Sequence, residues 1–190
     1  MAAATSTPTF HVTAVLPIGG LMATSRGTGI PLTLLLARAA ALVVEEEPLF
    51  NAAFTPEGLA FRARVDVGIA VDTEDGLLTP VLRDAAACPL TDLHQTWTEL
   101  RDRARRRRLP PADYRGATFY LSNLGMYAIV RRFDAILPLG ATSILAVGAA
   151  IDAQAEFTLT CDHRVVFGAH AARFLTALAR RLEEPAPWAR

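Results

Sequence analysis

The run Cys161-Asp162-His163-Arg164-Val165-Val166-Phe167-Gly168 joins two segments of different period. Upstream, Phe157, Leu159 and Cys161 alternate with Thr158 and Thr160, the pattern of a strand with one apolar face. Downstream, Ala171, Phe174, Leu175, Leu178 and Leu182 fall on one helical stripe. His163 therefore stands where a strand ends and the chain turns towards a helix. Imidazole is the side chain best suited to general-base work at neutral pH; a packed structural histidine is the competing reading. Cys161 lies two residues before His163 on the same strand, so the backbone sets their relative placement. It reads as a packed cysteine rather than a nucleophile. A second polar strand end occurs at Ser122-Asn123-Leu124-Gly125, closing a predicted strand over 118–122.

Composition narrows the chemistry. All nineteen basic residues are Arg, which excludes a Lys nucleophile or Schiff base. Cys88 and Cys161 are too few for a disulfide framework or a zinc site, so no metal is expected and a reducing cytoplasm is the simplest compartment. The N-terminus has no basic and apolar leader pattern. The formal net charge is zero, so no global field draws nucleic acid or an anionic membrane. The apolar run 31–44, interrupted by Thr33 and Arg38, is too short to span a bilayer.

The elements that must position these residues follow from periodicity. Residues 1–8 are small and polar and are expected to be disordered. Residues 10–17 alternate loosely as a strand, broken by Gly19-Gly20; residues 25–29 read as a loop. Pro31 suits the first turn of a helix whose face is Leu32, Leu35, Leu36, Ala39, Ala40 and Val43. Its end, Glu45-Glu46-Glu47, opposes the helix dipole and reads as solvated. Residues 61–71 alternate apolar and polar as one strand, Asp75-Gly76 marks a tight turn, and 77–82 is extended. Thr91 suits the N-cap of a helix over 92–108 with the stripe Leu93, Trp97, Leu100 and Ala104. That helix ends in Arg105 to Arg108, which read as a solvated terminus or as a phosphate-binding group. No aromatic residues interleave with them, which argues against nucleic acid. Residues 143–149 form a buried strand. Strands and helices in mixed order predict an α/β sandwich rather than a regular doubly wound sheet.

Several blocks, in order along nearly the whole chain, resemble the catalytic domain of the 2-oxoacid dehydrogenase acyltransferases. These are the E2 components of the pyruvate dehydrogenase type, whose fold is shared with chloramphenicol acetyltransferase. The blocks begin with Pro8-Thr9-Phe10-His11-Val12-Thr13 and Pro48-Leu49-Phe50-Asn51-Ala52-Ala53-Phe54. They continue through Val67 to Asp72 with Gly76 to Asp84, Gly116 to Met126, and Ile144 to Gly148, and end at the run from Asp162 to Gly168. The resemblance implies a two-layer α/β sandwich with a mixed β-sheet over 9–190. It also implies His163 as the base that deprotonates an attacking thiol or hydroxyl, and Ser122 as the donor to the oxyanion. Acetyl-CoA or another acyl-CoA is the implied co-substrate, and the residues that would bind it stay open. The implied assembly is a homotrimer with active sites between subunits.

The sequence departs from the family pattern His-Arg-x-x-Asp-Gly by placing Phe167 at the Asp position, between the motif residues Asp162 and Gly168, whose roles stay open. In the family that carboxylate pairs with an Arg of a preceding helix, and the chain starts at the first core strand. Losing both members of an ion pair is consistent, because swapping a whole pair for apolar packing can be neutral. The resemblance then leaves His163 to be oriented by its own backbone carbonyl. A catalytic domain without lipoyl and subunit-binding domains is expected, with a short hairpin between Val147 and Phe157. A stand-alone O-acetyltransferase acting on a small-molecule hydroxyl, such as that of a tetronate intermediate, is the first expectation. A catalytically degenerate assembly subunit and a lipoyl-dependent transacylase are the alternatives.

Overall fold

The computed structural model describes residues 7–74 and 76–189. The expected disorder of residues 1–8 falls mostly outside the described residues, as does Asp75 of the expected turn. The chain begins with strand β1 (Thr9–Pro17), helix α1 (Gly19–Thr28) and helix α2 (Leu32–Glu46). Five short strands follow: β2 (Ala52–Thr55), β3 (Gly58–Phe61), β4 (Val67–Ile69), β5 (Val71–Thr73) and β6 (Gly76–Leu78). Then come β7 (Val81–Leu82), α3 (Leu90–Arg105), β8 (Phe119–Asn123), β9 (Ser143–Val147), β10 (Gln154–Asp162) and α4 (Gly168–Glu183).

Six strands form the main sheet in the order β1-β10-β9-β8-β4-β7. The pairs β4–β8 and β8–β9 are parallel; β1–β10, β10–β9 and β4–β7 are antiparallel. β2–β3 and β5–β6 are separate hairpins. This is the α/β sandwich that the element order predicted, with the two layers and mixed sheet that the resemblance implied. The helices cover one face, because that is where each element is apolar. From β10 the core takes Phe157, Leu159 and Cys161, from β8 Phe119 and Leu121, and from α4 the whole predicted stripe. α2 is apolar nearly all round, and nine of its residues are buried, so it is the innermost helix. On the opposite face Tyr120 packs with Val81, Leu137 and Ile144 in a smaller cluster.

Four local expectations need correction. Gly19-Gly20 opens α1 instead of ending structure. A Cβ on Gly20 would lie 2.8 Å from the Glu183 carbonyl oxygen, so glycine is there for close packing against the end of α4. α1 runs on to Thr28, through the expected loop, and stops at Gly29, whose φ of 73° is the left-handed cap that glycine tolerates. The expected strand over 61–71 is broken, because other groups claim its middle. Asn51 Nδ2 donates to the Arg62 and Arg64 carbonyls, and Asp66 is fixed by Arg64, Arg83 and the Asp84 N–H. Finally, α3 starts at Leu90 after Pro89 and ends at Arg105. Thr91 is inside it and donates to Asp92 Oδ1, and Arg106 to Arg108 lie beyond the helix.

Candidate functional site

The turn between β10 and α4 holds His163 from both sides. Asp162 is 2% exposed, and its carboxylate is wrapped by one residue. Oδ1 accepts the Arg164 N–H and Nε–H, both at 2.9 Å, and Oδ2 accepts Nη2 at 2.6 Å. The bond from Asp162 is the largest influence on the Arg164 guanidinium and raises its pKa. Arg164 also lies over the Phe54 ring, 4.3 Å from its centroid. The Asp162 carbonyl accepts the N–H groups of Val165 and Val166, while the His163 N–H donates to the Pro8 carbonyl. The His163 backbone is therefore clamped between two bonded neighbours and tied to the chain before β1.

The His163 ring is exposed and flanked by aromatic rings. Phe10 lies 4.7 Å away at 56°, and Phe167 5.3 Å away, edge-on at 65°. Among the described residues no hydrogen bond from another residue reaches the imidazole. Phe167 is the N-cap residue of α4, where a phenyl ring can accept nothing from the helix. Its own N–H instead donates to Nδ1 of His170, one turn on, so His170 carries its proton on Nε2. Gly168 is simply the first residue of α4, with open space around its Cα. Cys161 is fully buried against Ser143, 3.4 Å from its hydroxyl. Burial pushes the thiol up to about 12, so it is a neutral packed group at physiological pH.

Ser122 lies elsewhere, near the end of β8, on the wall of a cavity of about 610 Å³. Trp97, Arg101 and Arg105 of α3 line the same cavity, with Leu77 and Asn123. The turn after Ser122 is held by its neighbour: Asn123 Oδ1 accepts the Gly125 N–H at 2.8 Å, and Nδ2 donates to Thr33 Oγ1 at 3.0 Å. Asn123 thus does the capping that the Ser122 hydroxyl would otherwise have to supply. Among the described residues Ser122 Oγ makes no hydrogen bond. Arg101 and Arg105 stand one helical turn apart on the cavity side. Arg101 Nε is shielded from solvent without a hydrogen-bond partner, and its ion-pair contact with Asp102 is long, at 4.0 Å.

The two candidate groups do not meet within one chain. Ser122 pairs with Ala146, which pairs with Thr158 of β10, and His163 is five residues beyond Thr158. Five residues of strand and two inter-strand steps separate the side chains by roughly 20 Å. A base and an oxyanion donor acting on one carbonyl must lie within a few ångströms of each other. Sequence reasoning missed Asn123, Thr33, Phe10 and Arg101. Only Arg101 had a legible signal, its i to i+4 spacing with Arg105. Among the described residues there is no metal-binding cluster of His, Cys, Asp and Glu, and no helix is long and apolar enough to cross a membrane.

Residues 1–189 match the family model described as 2-oxoacid dehydrogenases acyltransferase (catalytic domain). Similar proteins include component 5 of the chloroplastic pyruvate dehydrogenase complex of Arabidopsis thaliana, a dihydrolipoyllysine-residue acetyltransferase. It is 37% identical over 94% of this chain and 42% of its own length. The corresponding component of the Bacillus subtilis acetoin cleaving system is 37% identical over 84% of this chain and 43% of its own. This chain thus spans less than half the length of these curated relatives. A solved structure of Azotobacter vinelandii dihydrolipoamide acetyltransferase superimposes with a TM-score of 0.87 at 29% identity, covering 98% of this chain and 86% of that one. It was determined to investigate the catalytic roles of a Ser, a His and an Asn four residues after that His. A chloramphenicol acetyltransferase shares the fold, with a TM-score of 0.66 at 18% identity over 93% of this chain and 89% of that one. Matched over almost its whole length, the chain belongs to the catalytic-domain family of the 2-oxoacid dehydrogenase acyltransferases.

Proposed function

We propose that this chain transfers an acyl group between a dihydrolipoyl thiol and the thiol of coenzyme A, at a site built from two copies of itself. The observation that carries the proposal is the Ser122 hydroxyl, which is left without a partner at a cavity wall while Asn123 holds the turn. A hydroxyl so placed can give its hydrogen bond to a charge that develops only during reaction, a contribution of ~3–4 kcal/mol in comparable sites. Ser122 and His163 of one chain are too far apart to share a carbonyl. The complete site therefore takes Ser122 from one subunit and His163 from a neighbour, and a rotational trimer supplies it three times. The names of the relatives support the lipoyl reading over free small-molecule chemistry, since they are dihydrolipoyllysine-residue acetyltransferases.

In this scheme an imidazole nitrogen of His163 takes the proton from the attacking thiol. The thiolate adds to the thioester carbonyl, and the new oxyanion accepts the Ser122 hydroxyl hydrogen. The tetrahedral adduct collapses by breaking the original carbon–sulfur bond, and the leaving thiolate recovers the proton from His163. One thioester is exchanged for another, so no oxidant or metal enters the balance. Coenzyme A fits the cavity through its charge: Arg101 and Arg105 offer guanidinium groups to phosphates at the α3 side, and Ser122 stands at the reacting end.

A second reading, O-acetyl transfer from acetyl-CoA to a small-molecule alcohol such as a tetronate, is favoured by one observation. Phe167 stands four residues after His163, the same spacing at which the Azotobacter protein's studied Asn follows its studied His. The deciding experiment follows thiol release from acetyl-CoA with dihydrolipoamide and with a panel of alcohols, for wild type, His163→Ala and Ser122→Ala. Turnover with dihydrolipoamide that falls at least a hundredfold in both variants supports the transacylase. Turnover confined to an alcohol transfers the assignment to the O-acetyltransferase, and no turnover with any acceptor favours the assembly subunit.

A further inference from the structure

We infer that Phe167 is a positioning residue for His163, acting with Phe10 as an aromatic slot that fixes the plane of the imidazole. This rests on the reading of His163 as the base. Three observations carry it. First, the two rings approach the imidazole from different elements. Phe10 comes from β1, where it is opposite Cys161 in register, and Phe167 from the start of α4. Their centroid distances of 4.7 and 5.3 Å are those of aromatic packing, with Phe167 set edge to face. Second, within one chain no side chain among the described residues hydrogen-bonds the ring, so there the two ring contacts limit its rotation. Third, Phe167 is 52% exposed and contributes no ring to the core, yet its main chain is held firmly. Its N–H donates to His170 Nδ1 at 3.1 Å, and its carbonyl accepts the N–H groups of His170 and Ala171.

Within its own chain the phenyl ring stands on a fixed stem and contacts two imidazoles, His163 edge-on and His170 at a tilt, which makes it a packing device for that corner. It also differs chemically from an amide at the same place. A carboxamide orients by a hydrogen bond and occupies donor or acceptor capacity near the site. A phenyl ring orients by contact and leaves both imidazole nitrogens free, one to take the thiol proton and one to carry its own. Positioning matters at this scale because a displacement of about 1 Å in a catalytic group can lower a rate by about a hundredfold.

The test uses the full chain with Phe167→Tyr, Phe167→Leu, Phe167→Ala and Phe167→Asn, each beside His163→Ala. Two readouts are taken: kcat and KM for acyl transfer, and the ring-proton resonances of His163 in protein labelled at histidine. The expected result is kcat within about threefold of wild type for Tyr and lowered roughly tenfold or more for Leu and Ala, with the coenzyme A KM changed less than about twofold. The His163 ring-proton resonances should move in Leu as the ring current is lost, with the thermal midpoint retained. Leu keeps the apolar bulk, so the inference remains open to refutation if Ala does not fold. Unchanged kcat and unmoved His163 resonances in Leu overturn the inference, as does an Asn variant faster than wild type. A His163→Ala protein as active as wild type would instead overturn the assignment of the base, a distinct outcome.

Discussion

Replacing Asp162 with Asn tests whether the turn that carries His163 is held by charge. The carboxylate takes four contacts from Arg164: Oδ1 from the main-chain N–H and Nε–H, Oδ2 from Nη2 at 2.6 Å and from Nε at 3.2 Å. Asn keeps one oxygen for the Arg164 N–H but turns the other group into a donor that faces the guanidinium. Breaking a fully buried ion pair costs ~3–5 kcal/mol. Here the Arg164 side chain is 35% exposed and can rotate into water, so the expected loss is smaller, about 2 kcal/mol. For a chain of this length that lowers the thermal midpoint by about 4–8 °C. Arg164→Ala alone would also remove the packing over Phe54, which contributes ~0.5–1 kcal/mol. A double-mutant cycle separates the two effects, with an expected coupling between Asp162 and Arg164 of about 1.5 kcal/mol. Acyl transfer measured well below both midpoints should fall roughly tenfold, because His163 sits between the two clamped residues. A coupling below about 0.3 kcal/mol would refute the clamp. Normal kcat with a lowered midpoint would show that it stabilises the turn without positioning His163.

Asn123→Ala removes the acceptor of the Gly125 N–H and the donor to Thr33, so Ser122 loses its scaffold. We expect kcat about tenfold lower and stability reduced by ~1–2 kcal/mol, read by turnover and urea unfolding. Arg101→Ala with Arg105→Ala should raise the coenzyme A KM about tenfold and leave kcat within about twofold. Pantetheine, which has no such phosphates, should be used equally well by variant and wild type, and an equal loss with pantetheine would contradict the phosphate assignment. Asp66 gives a pH prediction. Burial pushes its carboxyl up, but the bonds from Arg64, the Asp84 N–H and Arg83 outweigh this and hold it below the usual carboxylate range. A depressed folded value means stability present above the unfolded value of ~3.9 and lost as pH falls through the folded one. Asp66→Asn should therefore lower the thermal midpoint at pH 7, and the gap to wild type should close below about pH 4.

The parts of the fold that were legible in the sequence are those where one physical demand dominates. The stripe from Ala171 to Leu182 answers to burial and stands as expected, and Phe157 to Cys161 is a strand as expected, although Thr158 and Thr160 on its other face are buried too and bonded to Thr13 and His11. The strand expected over 61–71 failed because its alternation is only part of the local energetics. Asn51 and Asp66 draw on side-chain and main-chain groups distant in sequence, which period counting does not see. Gly19-Gly20 misled for a related reason. Glycine as a turn former and glycine as a contact point are the same letter, and only the nearness of the Glu183 carbonyl distinguishes them.

The candidate site shows a sharper version of that limit. His163 and Ser122 were legible as residue types at strand ends, yet their separation was not, because it depends on strand order. Had β8 and β10 been neighbours with matched ends, one chain could have held both groups. The order β10-β9-β8 and the register through Ala146 and Thr158 place them at opposite ends of the strands instead. The same fact makes an isolated chain insufficient for the chemistry proposed. A dilution series should therefore separate the two steps: activity per chain falling with concentration while far-ultraviolet circular dichroism stays constant would mark assembly as a requirement for turnover. Activity per chain that persists in a fraction shown by sedimentation to be monomeric would refute the two-copy site, whatever the role of His163.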